Sequence, residues 1–225
     1  MTKMKTAILR ATVLVATSLL CGASALASTV YENSASPPDK YYSPAGINGI
    51  EFGDEIDLAG TDRLVTEFRF EYFLKLGASG NEQGRLAIYS QNGANITQGS
   101  VLAIAPGTLL YDSGNFSLAS GYQQYISPAL SFQAPNTLTW AVTFSGLDAG
   151  EDVGLLLSDT PQTGASFRDF WQKNSSGNWG FFEMDGGGTK ANFVAKVTAV
   201  PEPGTLALLV GGLAWLGFLG YRRKI

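Results

Sequence analysis

Between residues 47 and 199 apolar positions recur at every second residue, the period of strands with one face buried. In Asp62–Lys75, Leu64, Thr66, Phe68, Phe70, Tyr72 and Leu74 fall on one face, and Arg63, Glu67, Arg69, Glu71 and Lys75 on the other. Asn136–Leu147 repeats the pattern, with Leu138, Trp140, Val142 and Phe144 against Thr137, Thr139, Thr143 and Ser145, and predicts a central strand. Shorter runs of the same kind cover Gly84–Ser90, Val101–Ala105, Thr108–Tyr111, Asn115–Leu118, Tyr122–Ile126, Asp152–Ser158 and Ala191–Val200. Turn chemistry separates them: Gln91-Asn92-Gly93, Pro106-Gly107 and Asp112-Ser113-Gly114. No stretch between the two ends has a 3.6-residue period. Strands at such short spacing predict an all-β fold, a jelly-roll-like β-sandwich over residues 47–199. Residues 28–46, with Pro37, Pro38 and Pro44, read as a loosely ordered lead-in that docks through Tyr31, Tyr41 and Tyr42.

The two ends have a different pattern. Lys3, Lys5 and Arg10 precede an apolar run from Ala11 to Leu20, and Ala25-Leu26-Ala27 supplies the small-x-small site of a signal peptide, residues 1–27, cleaved after Ala27. A lipoprotein reading through Cys21 is disfavoured because Leu20 stands where a small residue is needed. At the other end, Gly204–Gly220 is free of charge over 17 residues. At ~1.5 Å per residue that is about 26 Å of helix, enough to cross a bilayer with little tilt. Arg222, Arg223 and Lys224 follow and hold their side in the cytoplasm. Pro201-Glu202-Pro203 precedes the span; two prolines with fixed φ and no backbone donor make this segment extended and accessible.

A Pro-Glu-Pro triplet, an apolar span and a basic end, in that order over residues 200–225, resemble the PEP-CTERM sorting signal of bacterial exported proteins. The resemblance implies an exosortase-type sorting enzyme as a partner, with Pro201, Glu202 and Pro203 as the motif it reads. It further implies a Gram-negative cell that makes extracellular polysaccharide, with the protein in its envelope or biofilm matrix. A plain C-terminal anchor is the competing reading of the same residues. Either way the general secretion machinery exports the chain, and the C-terminal helix holds it in the inner membrane before processing.

Composition narrows the chemistry. An apolar fraction of 45 % with 12 % aromatic residues is enough for a real core. The sole cysteine leaves with the signal peptide, so no disulfide supports the mature fold. There is no histidine, which removes the usual general base and every Ser-His or Cys-His nucleophile. Of the fifteen basic residues, three lie in the signal peptide and three at 222–224; nine remain against eighteen acidic ones in residues 28–200, a net charge near −9. Such a body is poorly suited to nucleic acid.

Candidate chemistry sits in three places. Ser166–Met184 gathers Phe167, Phe170, Trp171, Trp179, Phe181 and Phe182 around Asn174–Asn178. Aromatic planes cover the C–H faces of sugar rings, which makes Trp171 and Trp179 carbohydrate-binding candidates; the competing reading places them in the core. Acidic residues cluster at Glu51–Asp57 and Asp148–Asp152, where calcium is the cation such carboxylates suit, although neither has EF-hand spacing and solvated acidic loops are the commoner case. Paired carboxylates could hydrolyse glycosides without histidine, but Glu67 and Glu71, four residues apart on one strand, are separated by roughly 13 Å, too far for a retaining pair. The expectation is a non-enzymatic surface or matrix protein without a cofactor; a secreted carbohydrate-active enzyme or carbohydrate-binding module on the same anchor is the alternative.

Overall fold

The computed structural model describes residues 26–34, 40–75, 79–98, 101–158, 160–167, 169–174, 176–184, 191–202 and 211–212. In chain order the strands are β1 (Ser28–Glu32), β2 (Tyr41–Tyr42), β3 (Glu51–Asp57), β4 (Leu64–Leu74), β5 (Gln83–Ser90), β6 (Asn95–Gln98), β7 (Val101–Ile104) and β8 (Leu109–Ser117). They continue with β9 (Gly121–Ile126), β10 (Phe132–Gln133), β11 (Thr137–Ser145), β12 (Val153–Leu156), β13 (Ala165–Ser166), β14 (Asp169–Lys173), β15 (Trp179–Glu183) and β16 (Ala195–Val200). One sheet has the order β1-β16-β4-β12-β2, with β9 and β10 also on β4. The other runs β15-β14-β3-β11-β5-β8, with β13 on β3, and β6 and β7 form a separate hairpin. Tyr72–Leu74 of β4 pairs with β9 and with β12 at once, so those two strands lie on its opposite edges.

The core lies between the sheets because alternation in each puts large rings on the facing sides. Leu138, Trp140, Val142 and Phe144 of β11 are all fully buried, as their spacing predicts. The Trp140 ring lies 5.3 Å from Phe68 and 5.7 Å from Phe70, which joins β11 of one sheet to β4 of the other. Thr139 and Ala141, on the face predicted to be wet, are buried as well. The reason is a second layer: Thr139 Oγ1 donates to Gln91 Oε1 at 2.6 Å, and a small cluster of Ala105, Trp171 and Phe181 packs with Ile96, Ala103 and Trp179.

Three details depart from the sequence pattern. In β4 the buried positions are Val65, Phe68, Phe70, Tyr72 and Leu74, while Leu64 and Thr66 are half-buried, so the phase slips by one residue before Phe68. The edge beside the slip is irregular: Phe68 N–H donates to Ser127 Oγ at 3.0 Å and Leu130 N–H to Thr66 O at 2.9 Å. The lead-in belongs to the sandwich. β1 pairs with β16 from Ser28–Ala199 to Glu32–Lys196, Val30 and Tyr31 are buried, and β2 pairs with β12. STVYE and YY are too short to display a period, and what orders them is a partner strand distant in the chain.

The third departure is at Asp112-Ser113-Gly114, expected as a turn between two strands and found inside β8. Arg85 faces Asn115 and Ala87 faces Asp112, so β8 carries an extra residue against β5, a bulge in which Gly114 takes φ 63°. Asp112 receives two bonds from the Arg85 guanidinium, Nε to Oδ1 at 2.8 Å and Nη2 to Oδ2. The hydrogen bond from Arg85 holds the Asp112 carboxyl down at about 2. A depressed carboxyl contributes stability above its unfolded value and loses it as pH falls through the folded one. Arg85→Ala should therefore cost only ~0.2–1 kcal/mol at neutral pH, since the pair is exposed, and in urea titrations the difference should shrink as pH falls through about 2.

Ser28–Ala199 forms one compact unit that contains the whole core. The second unit comprises Met1–Ala27 and Val200–Ile225. The predicted signal peptide lies outside the described residues except for Leu26 and Ala27, and the predicted span except for Gly211 and Gly212, which are helical. Among the described residues no helix is long and apolar enough to cross a membrane.

Candidate functional site

The aromatic segment divides its rings between two layers because β14 alternates. Phe170 enters the main core against Tyr42 at 4.9 Å. Trp171 points the other way and is only 1 % exposed. Its Nε1 donates to Glu55 Oε2 at 2.9 Å, and its ring stands at 89° to Trp179, 6.5 Å away. Trp171 is thus a packing residue and offers no open face to a sugar, which corrects the first of the two candidates. Trp179 is half-buried, edge-on to Tyr89 at 5.5 Å, with Lys173 Nζ 4.5 Å above its ring. The same ammonium donates to Glu51 Oε2 at 2.7 Å, and Tyr89 Oη donates to Glu51 Oε1 at 2.5 Å. Burial and that carboxylate push the Tyr89 phenol up. Asn174 builds the β14–β15 turn, its Oδ1 accepting from Ser176 N–H at 2.9 Å and Asn178 N–H at 3.0 Å.

In strand β3 Asp54 faces the core and Glu51, Glu55 and Asp57 the other side, where they accept from Lys173 and Tyr89, from Trp171 and Gln91, and from Thr137. Asp148–Asp152 is a loop in which Glu151 and Asp152 already accept protein donors. Glu151 takes Ser79 N–H and Asp148 N–H, each at 2.7 Å, and Asp152 takes Tyr41 Oη at 2.8 Å and Ser43 Oγ at 2.7 Å. Among the described residues no group of three or more Asp, Glu or Cys side chains could hold a metal. Glu67 accepts from Arg69 Nε at 2.6 Å and Glu71 from Gln124 Nε2 at 3.2 Å.

Two features escaped the sequence reading. Asp54 points into the core from β3, between Phe52 and Ile56, and is fully buried. Its Oδ2 accepts from Ser166 Oγ at 2.9 Å and from Phe193 N–H at 3.4 Å. Burial pushes its carboxyl well above the usual range. The alternation Phe52-x-Asp54-x-Ile56 carried that signal, and the acidic composition of the stretch masked it. The second feature is a row of rings, Tyr41, Phe73 and Tyr122, on the outer face of the β4 sheet, with centroids 5.0 Å and 4.7 Å apart. Its members come from three strands, so nothing in linear order announces it.

At the C-terminal end β16 stops at Val200, and the missing N–H of Pro201 stops the ladder there. Pro201 is half-buried and Glu202 exposed; Pro203, Arg222, Arg223 and Lys224 lie outside the described residues. Residues 199–224 match the family model of the PEP-CTERM protein-sorting motif. The chain carries a PEP-CTERM sorting motif. This motif implies export and cell-surface sorting, with processing by an exosortase. No curated protein and no solved structure matches the chain.

Proposed function

We propose that this is a non-enzymatic exported protein whose sandwich is delivered to the cell surface or extracellular matrix by its PEP-CTERM motif and associates there with exopolysaccharide. The match at residues 199–224 carries the reading. The signal peptide through Ala27 hands the chain to the secretion machinery, and the span at 204–220, with its basic end, holds it in the inner membrane until an exosortase acts. The strand order supports a jelly roll, since β1-β16-β4-β9 faces β3-β11-β5-β8 and successive strands cross repeatedly from sheet to sheet. The absence of histidine and the protein donors already held by Glu67, Glu71, Glu151 and Asp152 support a role without catalysis, calcium or another cofactor. A net charge near −9 on residues 28–200 argues against nucleic acid.

Fractionation tests the address. The full chain should sediment with membranes before processing, while a chain ending at Glu202 should be exported and soluble, because β16 is complete at Val200. Equal membrane association of the two would overturn the anchoring step.

A further inference from the structure

We propose that the outer face of the β4 sheet binds a neutral polysaccharide, stacked on the Tyr41–Phe73–Tyr122 row and hydrogen-bonded in the cleft beside it. The inference deepens the matrix reading above by naming its ligand class and rests on that reading for the availability of the ligand. The geometry is its own support. Phe73 on β4 faces Tyr122 on β9 and, on the other edge, Gly154 on β12. A Cβ at Gly154 would stand 2.7 Å from Tyr41 Cδ2 and 2.3 Å from Tyr42 O. The missing side chain is what lets the Tyr41 ring from β2 lie across β12 and meet Phe73. Asp152 then fixes that ring by accepting its hydroxyl at 2.8 Å. Tyr122 is 58 % exposed at the far end.

Next to the rings, two residues along each strand and on the same face, stand Glu71 and Gln124, a cross-strand pair. With Glu32, Ser34, Arg69 and Lys196 they line an open cleft of about 140 Å³. That is on the order of five water volumes, the scale of a single sugar ring and too small for a folded partner. A row of rings, tilted by 40° and 47° to one another, beside a few convergent polar groups offers what a saccharide needs, since its C–H faces are apolar and its rim is all hydroxyl.

Charge selects among saccharides. Lys196 Nζ is 3.1 Å from Glu32 Oε1 and Arg69 Nε is 2.6 Å from Glu67 Oε1, so both cations lining the cleft are paired within the protein. With Glu32 and Glu71 offsetting Arg69 and Lys196, the cleft lining carries no net positive charge to attract a uronate, a sulfate or an anionic lipid, whereas the oxygens that Glu71 and Gln124 keep beyond their mutual hydrogen bond can bond hydroxyls.

Residues 28–202 contain the entire core and serve for the test. Affinity electrophoresis would be run in gels holding dextran, laminarin or mannan as neutral probes and alginate as an acidic one, with sedimentation on phosphatidylglycerol vesicles alongside. The expected result is retardation by at least one neutral polymer, weakened about tenfold or more by Tyr122→Ala, an exposed position outside the core, and also reduced by Gln124→Ala. Trp179→Ala, on the opposite sheet, should leave it unchanged. Binding insensitive to Tyr122→Ala, binding only to alginate or vesicles, or no binding to any neutral polymer would each overturn the proposal. Sorting is read separately from the C-terminal mass. Loss of binding with processing intact sinks this site alone, and binding without processing sinks the sorting reading alone.

Discussion

Replacing Pro201-Glu202-Pro203 by Ala-Ala-Ala should leave export and the fold intact and abolish the C-terminal mass shift that marks processing. The triplet begins immediately after the last strand ends, and against β1 the last paired position of β16 is Ala199, opposite Ser28. The exchange therefore removes no ladder bond and no core side chain. The proposed signal peptide and span are untouched, so targeting and insertion should proceed as before. What disappears is the Pro-Glu-Pro peptide that the function proposed above makes the element read by the sorting enzyme. Deleting Arg222, Arg223 and Lys224 should act differently: under the anchoring proposed above it removes the charge that keeps the span in place, so that the protein escapes the membrane. Mass spectrometry of the mature C-terminus in a cell that possesses the sorting enzyme distinguishes the cases. A matured, surface-exposed protein that still ends in Ile225 would reduce the motif to a linker.

The parts of the fold legible in the sequence are those where burial on one face imposes a period. β11 is the clearest: its inward residues are the four that alternation named, because a strand facing a wide core has no freedom of register. The same rule failed where a second layer covers the opposite face. Thr139 reads as a wet position, yet Gln91 and the Trp171 cluster close over it, and no local pattern encodes a contact made by residues tens of positions away. β1 failed for a related reason, since five residues display no period and their order comes from β16. Trp171 was selected for its chemistry, and only the phase of β14 relative to Phe170 decides that it is interior. The sorting motif, by contrast, is linear and needs no fold to be read.

The two outer faces differ in a way that bears on function. Over the β11 sheet, hydrogen bonds and the ammonium of Lys173 tie Trp171, Trp179 and Tyr89 into a closed cluster. Over the β4 sheet the rings lie in a line and end in an exposed tyrosine. Aromatic content alone would have favoured the first face; accessibility favours the second.

Asp54→Asn should stabilise the protein at neutral pH and lose that advantage in acid. Asp54 is fully buried, and its raised carboxyl is due first to burial, with Asp169 and Glu55 adding repulsion. A donated Ser166 hydroxyl and the Phe193 amide oppose the rise without supplying a charge. A carboxyl raised on folding binds its proton more tightly in the native state than in the unfolded chain. Its contribution is thus intact below the unfolded value near ~3.9 and is lost as pH climbs toward the folded one, at about 1.4 kcal/mol per pH unit in that window. Glu55 and Asp169 are raised in the same direction by burial, but both stay in the variant and largely cancel from the difference. Local geometry favours the neutral form as well. Asp54 Oδ1, Asn33 Oδ1, Tyr31 Oη and Trp140 Nε1 are buried without a hydrogen-bond partner in the structure, and a proton on Oδ1 turns one acceptor into a donor. Asparagine keeps the shape and oxygen of the neutral acid and never ionises. Urea denaturation of residues 28–202 from pH 4 to pH 8 should show wild-type stability falling relative to Asp54→Asn as pH rises, with the curves converging near pH 4. Parallel curves would mean that Asp54 ionises in the native state as freely as in the unfolded chain, and the interior between the two sheets would then have to admit solvent to a fully buried carboxylate.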